Sequence, residues 1–190
     1  MATNAELARL GVTGALYVAP LGTVAPVDMS AWPSGWTDLG YISDDGVTES
    51  LNEDKQDFVP WQSATPIRTE VTSSVQTFSA TLWESKAATI SLFYRVPESD
   101  MVVTGSAPNQ VVSFTQAGKP KRDTRAFGVD VVDGTYHRRI VLPLAEVTER
   151  GDVVYKSDSL IGYECTITAY PGSDGFSVKR MFKEGWLPAA

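Results

Sequence analysis

Hydrophobic and polar positions alternate with a period of two over much of this chain, and the longest such stretch is residues 67–83, IRTEVTSSVQTFSATLW. Seven of the thirteen residues from 69 to 81 are Ser or Thr. That composition disfavours a helix and suits a β-strand that keeps one face in water. A strand this long and flat has an edge that is a liability for a soluble monomer. The pattern therefore predicts a protein whose copies assemble.

The two faces of this predicted strand change places part-way along it. Val71 and Val75 mark one face, whereas the apolar residues after position 77 fall on the opposite parity. A β-bulge shifts the phase of a strand in this way, so we expect one near 76–77. The polar face of the strand consists of Glu70, Thr72, Ser74 and Gln76.

Shorter alternating runs, separated by Gly, Pro and Asp, predict the rest of a β-rich fold. A turn is predicted at Asp44-Asp45-Gly46. The predicted strands are 15–19, 36–42, 47–51, 111–114, 126–132, 137–144, 146–150, 153–156 and 160–170.

One segment, 84–95, has a helical pattern, with Ser85 as a possible N-cap and Pro97 as the stop. Its predicted packing face consists of Trp83, Ala87, Ile90 and Tyr94. The sum is one mainly β domain over 1–190, a two-sheet β-sandwich or partial barrel with one packed α-helix. We expect residues 1–12 to form an N-terminal arm and 172–190 a C-terminal arm or last strand.

Residues 52–66, NEDKQDFVPWQSATP, have no consistent period and contain two prolines. A connection this long in a compact domain is usually functional or disordered. Two aromatic residues, Phe58 and Trp61, argue against a segment that is simply disordered. We therefore expect a loop with an apolar tip that docks on a partner and is mobile before it docks.

The net charge of −7 argues against tight binding of a phosphate backbone. Seven acids but only one base lie between positions 38 and 57, whereas the bases cluster elsewhere. Two readings stay open: two separate solvated faces, or a head-to-tail contact between an acidic loop and the next copy's basic edge. The candidates for that edge are Lys119, Lys121, Arg122, Arg125, Arg138 and Arg139.

Residues suited to catalysis or metal binding are scarce. His137 is the only histidine, expected to be exposed on a strand, and Cys165 is the only cysteine, expected to be buried and inert. No nucleophile elbow, dinucleotide-binding loop or P-loop sequence occurs. The acids at 53, 54 and 57 lack the spacing of a calcium loop and suit a solvated segment. We therefore predict no catalytic, metal or cofactor site.

The run 38–50, DLGYISDDGVTES, resembles a segment of major tail tube proteins from bacteriophages with long, non-contractile tails. In that family a strand–turn–strand unit precedes a long loop and then a long strand, and the same order is predicted here. The run TLWESKAATISLFY is similar to the family's packed helix, and 11–20, GVTGALYVAP, to its opening strand. The resemblance extends over most of residues 11–170.

This resemblance implies hexameric rings that stack into a hollow tube, whose inner β-barrel lets double-stranded DNA pass without adhering. It implies lumen strands at 47–51 and 70–81, and a loop at 52–66 that reaches the neighbouring ring. The lumen-facing candidates are Glu49, Glu70, Thr72, Ser74 and Gln76. The inter-ring candidates are Asn52, Glu53, Asp54, Asp57, Phe58 and Trp61.

The implied partners are further copies of the chain and the tape measure, tail tip and tail terminator proteins. No apolar run is long enough for a membrane span and the N-terminus has no signal pattern. We therefore expect assembly in the host cytoplasm and a final location in the virion tail. The alternatives are a carbohydrate- or receptor-binding β-sandwich, the tube protein of a type VI secretion or tailocin machine, and, last, an enzyme.

Overall fold

The computed structural model describes residues 5–183 and 185–186, which form a mainly β fold with one helix and two sheets. The expected fold class is confirmed, although the sheet does not close into a barrel. The elements are β1 (Thr13–Pro20), β2 (Thr37–Asp38), β3 (Ile42–Phe58), β4 (Arg68–Leu82), α1 (Ala87–Tyr94), β5 (Val102–Thr104), β6 (Val111–Ser113), β7 (Thr124–Asp133), β8 (Tyr136–Arg150), β9 (Tyr163–Ala169) and β10 (Lys179–Phe182).

The main sheet is antiparallel, in the order β2-β1-β7-β8-β9-β4-β3, and β10 pairs with the first half of β8. β5 and β6 form a separate hairpin. The main sheet curves until β1 and β3, far apart in its order, approach each other. The two edge regions of the curved sheet therefore come together around a single core.

The core lies on the concave face of the main sheet, beneath α1. Its fully buried large side chains include Leu16, Phe78, Leu92, Phe127 and Ile167, which come from four strands and the helix. Cys165 lies among them. Its expected burial is confirmed, and this burial raises the pKa of its thiol to about 12.

The helix differs from the prediction in its ends and in its packing face. It begins after Lys86 without a side-chain cap, and the Ser85 hydroxyl instead lies 3.1 Å from the Tyr163 hydroxyl. The fully buried side chains include Ala88 and Leu92. Of the predicted face, Ala87 is exposed, whereas Ile90 and Tyr94 are half-buried and pack against the margin of the core. This outer stripe of α1 is therefore only partly covered.

The turn predicted at 44–46 is wrong, because these residues lie inside one strand, β3. The loop predicted at 52–66 is shorter than expected, because residues 52–58 also belong to β3 and only 59–66 lie outside any strand. The register between Ile42 and Val47 shifts against β4, so 43–46 form a bulge in which Gly46 has φ 68°. Apolar and polar residues do not alternate in 52–58, because neither face of this part of β3 is buried.

Several shorter predictions also change. Residues 153–156 form no strand, 36–42 reduce to β2 and the start of β3, and the two strands predicted over 137–150 are one strand, β8. In the C-terminal segment, the structure has one short strand, β10. Residues 1–4, 184 and 187–190 lie outside the described part, so the predicted arms are described only in their inner portions.

Candidate functional site: the projecting ribbon and the grooves around the helix

The distal parts of β3 and β4 pair only with each other and project from the sheet as a two-stranded ribbon. β9 pairs with β4 only from Gln76 to Leu82, and β3 is the last strand of the sheet. Residues 52–58 and 68–75 consequently form the ribbon, joined by a tip at 59–67. Nearly all of these residues are exposed.

The ribbon contains the predicted phase change, but four residues earlier than expected. Asp54 lies opposite Ser73 and Lys55 opposite Val71, so Thr72 is the extra residue of a bulge. The bulge divides the candidate lumen residues between two faces. Ser74 and Gln76 share the face of Phe78, whereas Glu70 lies on the face of Val75.

Glu49, another lumen-facing candidate, is bound within the protomer. Its carboxylate accepts a hydrogen bond of 2.8 Å from Arg138 and is paired with Arg180. Arg180 also donates to the side-chain oxygen of Gln76 at 3.1 Å. This network joins β10 to the base of the ribbon, so Glu49 and Gln76 are not free polar groups.

The tip is apolar and the ribbon behind it is acidic. Phe58, Val59 and Ile67 are all exposed, and Trp61 is 99% exposed. Asp57 accepts a hydrogen bond of 2.6 Å from the Thr69 hydroxyl. The other charged or polar ribbon candidates are Asn52, Glu53 and Asp54; Glu53 lies 4.0 Å from Lys55. Among the described residues, no group of three or more His, Cys, Asp or Glu side chains could hold a metal ion.

Two open cavities lie on either side of Tyr94, near the C-terminal end of α1. The first, which we call the helix groove, has a volume of about 430 Å³ and is mainly apolar in its lining. It is lined by Ile90, Tyr94, Met101, Val112, Phe114 and Tyr163. Burial, followed by a hydrogen bond to Tyr155, raises the pKa of Tyr94.

The second cavity, the basic groove, has a volume of about 910 Å³. Its lining contains two acids, Asp100 and Asp123, against six bases. The bases are Arg95, Lys119, Lys121, Arg122, Arg125 and Arg150. In a chain of net charge −7, this is a strong local excess of positive charge.

A family model described as phage tail tube protein matches residues 1–182, nearly the whole chain. The chain belongs to the phage tail tube protein family. Comparison with curated proteins finds no match.

One solved structure similar to this tail tube protein comes from the cryo-EM structure of the anti-feeding prophage baseplate, 6-fold symmetrised. The sequence identity is 9%, the alignment covers 95% of this chain and 97% of the other, and the TM-score is 0.43. No helix in the described part of this tail tube protein is long and apolar enough to cross a membrane.

The six candidates for the basic edge divide between two places in this tail tube protein: four line the basic groove, and Arg138 and Arg139 lie on β8. Arg122 and Arg125 form ion pairs with Glu146 and Asp123, and Arg138 is paired with Glu49. Only Lys119 and Lys121 of the six candidates are exposed and lack an ion pair within the described residues. Burial alone would raise the pKa of Glu146, but hydrogen bonds from Arg122 and Tyr170 outweigh it and lower that pKa.

Arg139, the remaining candidate for that edge, is buried, with 2% of its surface exposed. It donates to both carboxylate oxygens of Asp130 at 2.8 and 2.9 Å, and to two carbonyls of the 21–36 loop. The indole N–H of Trp32 donates to the same carboxylate at 2.7 Å. His137, expected to be exposed, is instead half-buried, and its Nε2 lies 3.2 Å from Oδ1 of Asp130. This cluster holds the 21–36 loop on the outer face of the sheet.

Two further arginines that sequence patterns did not indicate hold the end of α1. Arg150 donates to the carbonyls of Leu92 and Phe93, and Arg95 donates to that of Val147. Burial, and then repulsion by Arg95, lowers the pKa of Arg150. The two Arg150 contacts satisfy carbonyls that a helix C-terminus leaves without partners, and the Arg95 contact ties the same end to β8. No local signal could have revealed them, because the partners are more than fifty residues apart.

Proposed function

We propose that this tail tube protein forms the wall of a long, non-contractile phage tail. Copies close into rings, with six subunits as the expected number, and the rings stack into a hollow tube through which double-stranded DNA passes. The observation that supports this best is the family match over residues 1–182. The similarity of the run 38–50 to tail tube proteins of that tail type supports the finer assignment.

The exposed backbone of the ribbon supports assembly through sheet edges. β3 has seventeen residues and no strand on its outer side within the described residues. Unpaired edges of this length favour pairing with another chain. In the proposed ring, β3 and β4 of neighbouring subunits line the lumen, and only one face of the ribbon points inward. Either Glu70 or the pair Ser74 and Gln76 is then presented to DNA.

The charge of the subunit suits a conduit for DNA. A net charge of −7 repels phosphate groups and favours passage over adhesion. The proposed partners besides the chain itself are the tape measure, tail tip and tail terminator proteins, and assembly takes place in the host cytoplasm. We propose no catalytic activity, in keeping with the structural role of the family and with a buried, poorly acidic Cys165.

Negative-stain electron microscopy of the purified protein over a concentration series tests this proposal. We expect hollow rings and tubes of uniform diameter, more abundant at higher concentration, and six-fold symmetry in end-on views. A protein that stays monomeric throughout and binds a glycan would contradict the proposal and support a receptor-binding module.

A further inference from the structure

The most exposed large side chain of the described protein is Trp61, at the tip of the ribbon. It is 99% exposed, and its neighbours Val59 and Ile67 are 55% and 74% exposed. Tryptophan has a large apolar surface and is enriched at protein interfaces. A contiguous apolar tip on a projecting ribbon therefore indicates a docking element.

The helix groove offers a complementary surface. Its lining includes the outer stripe of α1 and the exposed Val112 of the β5–β6 hairpin. Its aromatic lining residues are Tyr94, Phe114 and Tyr163. A volume of about 430 Å³ is within the range of protein pockets that bury small ligands, and it exceeds what one indole ring needs.

The tip and the helix groove lie at opposite ends of β4. The ribbon tip precedes Arg68, whereas Leu82, at the other end, pairs with Tyr163 of the groove. Fourteen residue steps of about 3.3 Å separate the ends by roughly 46 Å. A tip therefore cannot reach the groove of its own chain. A contact between different surfaces on two copies propagates from copy to copy.

Charge complementarity accompanies the apolar match. Asp54 and Asp57 lie behind the tip and form no ion pair within the described residues. The basic groove adjoins the helix groove through their shared Tyr94, and its Lys119 and Lys121 are exposed. Asp57 lies next to the last residue of β3, directly behind the tip that contains Trp61, so the acidic and apolar parts of the ribbon can meet two adjacent grooves.

We propose that Trp61 of one copy docks into the helix groove of the next copy, with Asp54 and Asp57 beside Lys119 and Lys121. This inference rests on the proposed self-assembly and names the surface that receives the ribbon. The outer apolar stripe of α1 is then an interface face.

Two variants that cannot dock on themselves test the contact without requiring tubes. One keeps the tip tryptophan, has a thiol beside it and has a blocked groove, Q62C with V112E; the other has no tip tryptophan and a groove thiol, W61A with V112C. The side chains at 61, 62 and 112 are all exposed, Val112 by 57%, so the fold tolerates these changes. Cys165 is buried and does not compete. Under mild oxidation, the mixture should yield mainly a disulfide-linked heterodimer.

The matched control places the groove thiol at Val27, which is 81% exposed and does not line the helix groove. A heterodimer yield no higher with V112C than with V27C would overturn the proposal. In otherwise unchanged protein, W61A should raise the concentration of unassembled subunit roughly thirtyfold, and W61F much less.

These outcomes separate the docking contact from the tube. Tubes that W61A forms as readily as the unchanged protein contradict the docking and leave the proposed function standing. A trapped heterodimer from a protein that forms no tubes supports the docking and contradicts the proposed function.

Discussion

Replacing Asp130 by alanine should reveal how strongly the buried charge cluster stabilises the fold. The substitution leaves Arg139, only 2% exposed, without its carboxylate, and leaves the Trp32 indole N–H without its acceptor. Removing one partner of a buried ion pair costs about 3–5 kcal/mol, and an unsatisfied buried donor about 1–3 kcal/mol. Because the two losses share one carboxylate, we expect about 4–6 kcal/mol in total.

Urea denaturation followed by tryptophan fluorescence measures this cost. A slope of about 2 kcal/mol per molar urea converts a loss of 4 kcal/mol into a fall of about 2 M in the midpoint. The double variant D130A/R139M should regain much of the stability, because no unpaired charge is left buried. E70Q, which alters the exposed Arg68–Glu70 pair, is the control and should cost under about 1 kcal/mol. A cost below about 1 kcal/mol for D130A would refute the reasoning.

Three further predictions concern packing and titration. A Cβ at Gly128 would lie 2.0 Å from the Trp32 ring, so G128A should cost about 1–3 kcal/mol in urea denaturation and change the near-ultraviolet circular dichroism; an unchanged spectrum contradicts this. The pKa of Glu146 is lowered in the folded state, so its ionised carboxylate stabilises the fold above the unfolded pKa of about 4.3, and this stabilisation is lost as pH falls through the lower folded value. The free energy of unfolding should therefore decline less steeply below pH 4.3 in E146Q than in the unchanged protein. Equal slopes for the two proteins would contradict this prediction. With a pKa of about 12, Cys165 should not react with a thiol reagent at pH 8 until the protein unfolds, and rapid labelling of folded protein would show the assignment to be wrong.

Sequence patterns predicted elements wherever one face of a strand is buried. In β4, the alternation of Phe78, Ala80 and Leu82 against polar neighbours matches the buried and exposed faces. The same reasoning failed at 52–58, because a ribbon in water on both sides imposes no alternation on its residues. The apolar stripe of α1 was assigned to the core because periodicity reports an apolar face without identifying what covers it.

The charged residues of the candidate site depended on contacts that the local sequence does not contain. The cluster of bases at 119–139 suggested one surface. Arg139, however, pairs with Asp130 of the neighbouring strand and is buried. Glu49 was a lumen candidate through the family resemblance, but Arg180, 131 residues away, forms an ion pair with it. Only the tertiary fold determines which charges remain available to a partner.

We propose that many copies of this chain form the wall of a tail tube. Immunogold electron microscopy of intact virions, with antibodies raised against the purified protein, can show whether the protein occupies the whole tail. We predict label along the whole length of the tail, with a density that does not change from the head to the tip. Label restricted to the tail tip or to the head would contradict the claim.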